Sequence, residues 1–170
     1  MPTTPSTDRT TLGYGLSEEE GEAYSLFGIL ATIKISGEDT AGQYCLMDVE
    51  APPGLGSPWH VHRDEDEWFY VHDGEFTLYV GDARLALKAG RFAFGPKGVP
   101  HTFIAGPDGG KMLCGAGAKF EGLLSEIAEP APEHVLPPPP ESPPDMELLL
   151  PIAAKWGYDI LGPPGPPPGY

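Results

Sequence analysis

The sequence predicts an all-β chain, a sandwich or barrel of short strands. Two observations carry that prediction. From residue 24 to residue 117, short apolar runs alternate with turn signals, and no βαβ rhythm of strand and helix appears. Helical spacing of apolar residues is confined to the C-terminal third.

The candidate strands run in order: Tyr24 to Ile35, Gln43 to Val49, Trp59 to His62, Trp68 to His72, Glu75 to Val80, Ala83 to Lys88, Phe92 to Phe94, Pro100 to Ala105 and Lys111 to Gly115. Asp73-Gly74, Gly81-Asp82, Pro96-Lys97-Gly98 and Pro107 to Gly110 punctuate them. Beyond them, Phe120, Leu123, Leu124 and Ile127 fall on one helical face. Pro130 to Pro144 is proline-rich and reads as extended and stiff. Ser142 is a candidate cap for a second helix, with Pro143 and Pro144 in its first turn. That helix carries Met146, Leu149, Leu150, Ile152, Ala153 and Trp156, and Pro151 should start, kink or break it. Its apolar stripe must cover either this barrel or a partner subunit. The chain ends in a second proline-rich stretch, GPPGPPPGY. The expected regions are a polar leader (1–20), a β-barrel (21–117) and a helical, proline-rich extension (118–170).

A net charge of −15, from 25 acidic and 10 basic residues, repels phosphate backbones and anionic bilayers, so neither nucleic acid nor membrane is an expected partner. No apolar run is long enough to span a bilayer, and the N-terminus lacks the basic start and apolar core of a signal peptide. Localisation is expected to be cytoplasmic. Cys45 and Cys114 sit inside apolar runs and read as buried free thiols of a reducing compartment.

Chemistry concentrates in two stretches. The first runs from Gly54 through His60, His62 and Glu67 to Gly74; the second from Gly90 through Pro96 and Gly98 to His101. Alternate strand residues share a face, so His60 and His62 point together, Glu67 goes with Phe69 and Val71, and His101 with Phe103 and Ala105. If those faces line one interior, three imidazoles and a carboxylate surround a divalent transition metal and leave positions open. Met47, Phe69, Phe94 and Phe103 are candidates for an apolar pocket wall beside it. Of the run Asp64-Glu65-Asp66-Glu67, Glu67 has the fitting spacing and Glu65 is the alternative ligand. His72 falls on the face opposite Glu67, and His134 lies in the proline-rich segment, so neither joins the set. No G-x-S-x-G, P-loop or zinc-knuckle pattern competes.

These residues resemble the two motifs of the cupin superfamily. The first, G(X)5HXH(X)3,4E(X)6G, is met at Gly54, His60, His62, Glu67 and Gly74. The second, G(X)5PXG(X)2H(X)3N, is met at Gly90, Pro96, Gly98 and His101, with Ala105 in place of the final asparagine. The segments Gly21 to Gly28, Thr32 to Thr40 and Trp156 to Pro164 resemble small single-domain bacterial cupins described as similar to quercetin 2,3-dioxygenases. The resemblance implies a cupin double-stranded β-helix (jelly-roll barrel) with short C-terminal helices and a proline-rich tail. It implies one divalent transition metal per chain (nickel, cobalt, iron, manganese, copper or zinc) on His60, His62, Glu67 and His101. It also implies a metal-dependent dioxygenase of a flavonol-like or other enolisable aromatic substrate, with Glu67 as catalytic base and dioxygen as co-substrate. A homodimer is the implied assembly. The alternatives are a non-oxidative polyketide cyclase or isomerase, and a small-molecule-binding protein, since the fold hosts all of these.

Overall fold

The computed structural model describes residues 13–140, 142 and 144–166. Ten strands and two helices follow in chain order: β1 (Glu22–Leu26), β2 (Ile29–Ile35), β3 (Cys45–Ala51), β4 (Pro58–His62), β5 (Glu67–Val80), β6 (Ala83–Lys88), β7 (Phe92–Gly95), β8 (His101–Ala116), α1 (Lys119–Ile127), β9 (Glu129–Pro130), α2 (Met146–Trp156) and β10 (Tyr158–Pro164). The strands form one antiparallel sheet in the order β10-β4-β8-β3-β2-β1-β9, and β5 pairs with β6, β7 and β8. The all-β expectation and the jelly-roll architecture hold.

Boundaries differ where local chemistry was unusual. Tyr24 to Ile35 is a hairpin rather than one strand, because Phe27 (φ 53°) and Gly28 (φ 85°) make a two-residue turn with both φ positive. Trp68 to His72 and Glu75 to Val80 are one strand, β5, in which Asp73 and Gly74 stay paired with β8 and register shifts fall on either side of them. Gly74 is required there: its φ is +66°, and a Cβ would lie 2.4 Å from the carbonyl oxygen of Gly109 on β8. Pro100 to Ala105 and Lys111 to Gly115 likewise merge into β8. Its proline, Pro107, is tolerated because residues 106–109 have no ladder partner on β3 or β5.

Alternation on β3 and β5 puts Met47, Val49, Phe69 and Val71 inside the barrel, with Phe76, Leu78, Met112 and Leu124 in the same buried core. Burial of these side chains supplies the main favourable energy, each worth roughly 1.5–3 kcal/mol.

The C-terminal segment closes one end. Asp145, not Ser142, caps α2: its carboxylate accepts from the backbone N–H groups of Glu147 and Leu148. Pro143 lies outside the described residues. Pro151 sits inside α2 without ending it; the helix stops at Gly157, which is left-handed. Ala153 packs with Leu123 and Tyr158 in a second apolar cluster and Leu149 is also buried, so the α2 stripe covers this chain's own barrel. Met146 and Leu150 stay largely exposed. Trp156 lies over Gly122 of α1, where a Cβ would come within 2.3 Å of its ring. The tail then returns as β10, so Gly162-Pro163-Pro164, part of the second proline-rich stretch, runs beside β4. Prolines are accommodated there because β10 is an edge strand. No helix among the described residues is long and apolar enough to cross a membrane.

Candidate metal centre

Three strands deliver the site. His60 and His62 come from β4, Glu67 opens β5 and His101 opens β8. Backbone pairing sets their approach: His60 is opposite His101 on β8, and His62 is opposite Tyr158 on β10. The intervening turn is pinned to the second motif, since the Gly98 N–H donates to the His62 carbonyl at 2.7 Å. The Lys97 N–H donates to Asp66 Oδ1 at 2.9 Å.

One donor atom from each of His60, His62, Glu67 and His101 lies within 4.8 Å of every other. His60 Nε2 and His62 Nε2 are 3.0 Å apart. Glu67 Oε2 is 2.8 Å from His101 Nε2 and 3.4 Å from His62 Nε2. Ligands about 2.1 Å from one metal and at right angles to each other stand about 3.0 Å apart. These separations therefore fit a single transition-metal ion, and the imidazole–carboxylate set suits several divalent metals.

The second nitrogens orient the rings. His60 Nδ1 donates to the Pro58 carbonyl at 2.8 Å, and His101 Nδ1 donates to the Val99 carbonyl at 2.9 Å. Each leaves Nε2 facing the space between the donors. His62 Nδ1 is buried and has no hydrogen-bond partner among the described residues. Its ring is held instead by Tyr158, edge-on at 4.4 Å between centroids, and by Phe120, stacked at 6.2 Å.

Electrostatics favour a cation in this space. Burial and the neighbouring His101 and His62 push the His60 imidazole down to about 3. Burial raises the Glu67 carboxyl, but the His62 charge and the His101 hydrogen bond outweigh it and hold it at about 2. His101 is opposed by burial yet raised on balance by Glu67. At a buried carboxylate facing three imidazoles, a metal held by these residues would take the place of the proton between His101 and Glu67.

The other carboxylates of the acidic run have separate tasks. Glu65, the alternative ligand, faces away: its Oε2 accepts from the Tyr158 hydroxyl at 2.6 Å, and its Oε1 accepts from the Lys119 N–H at 3.3 Å. Asp64 pairs with the Lys119 ammonium at 3.0 Å. His72 is on the outer face with Asp48, 2.9 Å away, and His134 is remote from the set.

An apolar chamber adjoins the donors. It has two narrow lobes, of about 80 and about 70 Å³, which share Leu26, Phe27, Phe103, Phe120 and Glu67. Met47 lines one lobe; Leu149, Ala153, Tyr158 and Ile160 close the other. Phe69 is fully buried behind His101 and Phe103, with ring centroids 6.2 and 6.4 Å away. Phe94 is not part of the wall. It is 49% exposed on the outer face of β7, because the inward positions of that strand are Ala93 and Gly95. Sequence reading missed Ser57, Tyr158 and the β10 contribution. The Phe120–Leu123 helical face was the one available signal for the chamber roof.

The barrel and its donor quartet define a cupin fold with a potential metal site typical of cupins. Residues 47–114 match the Cupin domain family. Among curated proteins, quercetin 2,3-dioxygenase of Bacillus subtilis (strain 168) is 31% identical over 100 residues, covering 59% of this chain and 30% of that protein. The match thus spans less than a third of that relative's length. Among solved structures, KdgF from Halomonas sp. aligns with a TM-score of 0.56 and 18% identity, over 64% of this chain and 94% of that one. An RmlC-like cupin from Shewanella frigidimarina aligns at 0.53 and 20%, over 64% and 94%. Oxalate decarboxylase from Bacillus subtilis aligns at 0.53 and 17%, over 65% and 31%. At these identities the structural likeness speaks for the fold.

Proposed function

We propose that this chain is a metal-dependent dioxygenase acting on a flavonol-like or other enolisable aromatic substrate. The observation that carries this reading is an imidazole–carboxylate quartet, buried at His62, Glu67 and His101 and half-buried at His60, that opens onto an apolar chamber. The resemblance to quercetin 2,3-dioxygenase supports it. His60, His62, Glu67 and His101 would hold one divalent metal. Bound there, such an ion acidifies a coordinated enol hydroxyl and brings the electron-rich substrate and dioxygen together.

The protein's own groups do the rest. Glu67 would take the proton of the substrate hydroxyl, either staying ligated or swinging off the metal. Phe103, Phe120 and Leu149 orient the ring system and exclude water. Both atoms of dioxygen would enter the ring-opened product at C2 and C4, the two carbon–carbon bonds to C3 would break, and C3 would leave as carbon monoxide with its own oxygen. Either lobe of the chamber is smaller than the ~300 Å³ at which small-molecule sites usually begin. A bicyclic substrate therefore enters by displacing α1 and α2, whose contacts with the barrel are mainly apolar.

The same narrowness favours one second reading: non-oxidative Lewis-acid chemistry, as in an isomerase or cyclase, on a smaller enolisable molecule. The chamber lining contains no lysine or arginine, which disfavours a phosphorylated substrate. Oxygen uptake separates the two readings. Protein stripped and reloaded with nickel, cobalt, iron or manganese is given a flavonol. Uptake matched to flavonol loss and carbon monoxide release supports the dioxygenase. Turnover of an enolisable substrate that continues under argon selects the second. A homodimer in a cytoplasmic setting is the assembly we propose, to be checked by light scattering.

A further inference from the structure

Cys114 is a buried group that the mechanism above does not use. It lies on β8 opposite Phe69 of β5, which makes it a diagonal neighbour of Glu67 on the inner face. Its Sγ is 2.8 Å from Glu67 Oε1, and the two residues are 2% and 4% exposed. The other carboxylate oxygen, Oε2, faces His101 and His62. The sulfur itself is not one of the donors that converge.

We propose that Cys114 is a positioning residue of the metal centre: its S–H donates to Glu67 Oε1 and so presents Oε2 alone to the space between the imidazoles. This rests on the reading of His60, His62, Glu67 and His101 as metal ligands. A carboxylate on a two-carbon stem can rotate, and both oxygens can chelate one ion. A donor fixed to the rigid β8 ladder removes that freedom and occupies one oxygen's lone pair. Cys45 makes a natural control. It is equally buried, but its sulfur meets the Gly117 carbonyl at 3.5 Å and no ligand.

The test uses the full chain loaded with cobalt(II). Wild type, Cys114→Ala, Cys114→Ser and Cys45→Ala are compared by chelator competition and by the visible ligand-field spectrum. Metal-free thermal unfolding is followed alongside. Cys114→Ala should weaken cobalt binding by roughly tenfold or more, as loss of an outer hydrogen bond to a ligand does, and should shift the visible bands. Cys114→Ser, which keeps a donor on the same Cβ, should restore both. Cys45→Ala should leave both unmoved even if it unfolds earlier.

Equal shifts in the alanine and serine variants would reduce Cys114 to packing and overturn the proposal. So would an unchanged alanine variant. An intense near-ultraviolet sulfur-to-cobalt band that Cys114→Ala abolishes would make Cys114 a ligand, which also overturns it. Failure of the wild type to bind cobalt would instead remove the metal reading beneath it.

Discussion

The chain holds two assemblies of histidine and carboxylate on opposite faces of the same strands. Inside the barrel, His60, His62, Glu67 and His101 converge within 4.8 Å. Outside, His72 meets Asp48, while Lys111 pairs with Glu18 and lies 3.4 Å from Glu50. The residue types are nearly the same, and their chemistry differs because of enclosure. The outer carboxylates already have a lysine as counter-charge and have water around them. The inner carboxylate meets the Cys114 thiol on one oxygen and has only imidazoles as counter-charge, which a metal can recruit once their protons leave. Convergence without a resident cation separates a metal centre from a surface ion-pair network.

The largest test of that contrast removes an inner donor. His101→Ala should lower metal affinity by more than the ~10–100-fold expected for an outer-shell loss, read by chelator competition. Glu67→Gln should abolish turnover while the metal-free fold survives. Retained turnover would end the assignment of Glu67 as base. The equivalent substitution outside, Asp48→Asn, should leave metal content at the wild-type level.

Acid should separate the two assemblies next. The folded His60 is held at about 3 against an ordinary value of 6.5, so the unfolded chain binds that proton more readily. Its contribution to stability is present above 6.5 and is lost as pH falls toward 3. Glu67, held at about 2 against 4.5, contributes in the same sense over a lower window. Metal-free protein should therefore lose stability steadily below pH 6.5 in chemical unfolding. Bound metal should be released over the same range as protons compete for the imidazoles. His101, raised by Glu67, acts in the opposite sense, so the check is the His60→Ala variant, whose profile should be flatter between pH 6.5 and 4; an unchanged slope would contradict the shift assigned to His60.

A smaller effect comes from the strand that joins the site to the C-terminal segment. Tyr158 lies 2% exposed on β10, with its ring on His62 and its hydroxyl on Glu65. Tyr158→Phe keeps the ring and removes one hydrogen bond, which should cost about 1 kcal/mol in urea unfolding. Metal affinity should fall less than it does for any ligand substitution. Tyr158→Ala should cost about 3–5 kcal/mol, because it also empties the space beside His62.

The inner assembly was legible in the sequence because it is written in local spacing. His60 and His62 share a strand face by alternation, and the glycines and proline of the second stretch place His101. The all-β class was legible for the same reason, though not the strand boundaries, since one candidate split into β1 and β2 and two pairs merged into β5 and β8. What stayed hidden depends on long-range register. Nothing near Glu67 announces that Cys114, 47 positions later, supplies its partner. Nothing in Gly162-Pro163-Pro164 announces an edge strand beside β4. Phe94 was misplaced because an aromatic in a four-residue strand fits either face, and only the small inward Ala93 and Gly95 decide it. The Phe27-Gly28 turn escaped because a bulky residue with positive φ is uncommon.

The smallest expected effect is the sharpest check on the comparison. His72 and Asp48 have a good hydrogen-bond distance, 2.9 Å, and lie in an acidic groove with Glu18 and Asp73. By distance alone they match the contacts of the inner centre. His72 is nevertheless about a third exposed, so water competes for its partner and salt screens the charge. A pair of that kind is worth roughly 0–1 kcal/mol. His72→Ala should change unfolding free energy by less than that, and metal stoichiometry, measured by elemental analysis after dialysis, should stay at one per chain. If instead stoichiometry falls from two to one, the outer groove binds a cation as well, and enclosure is not what distinguishes the two faces.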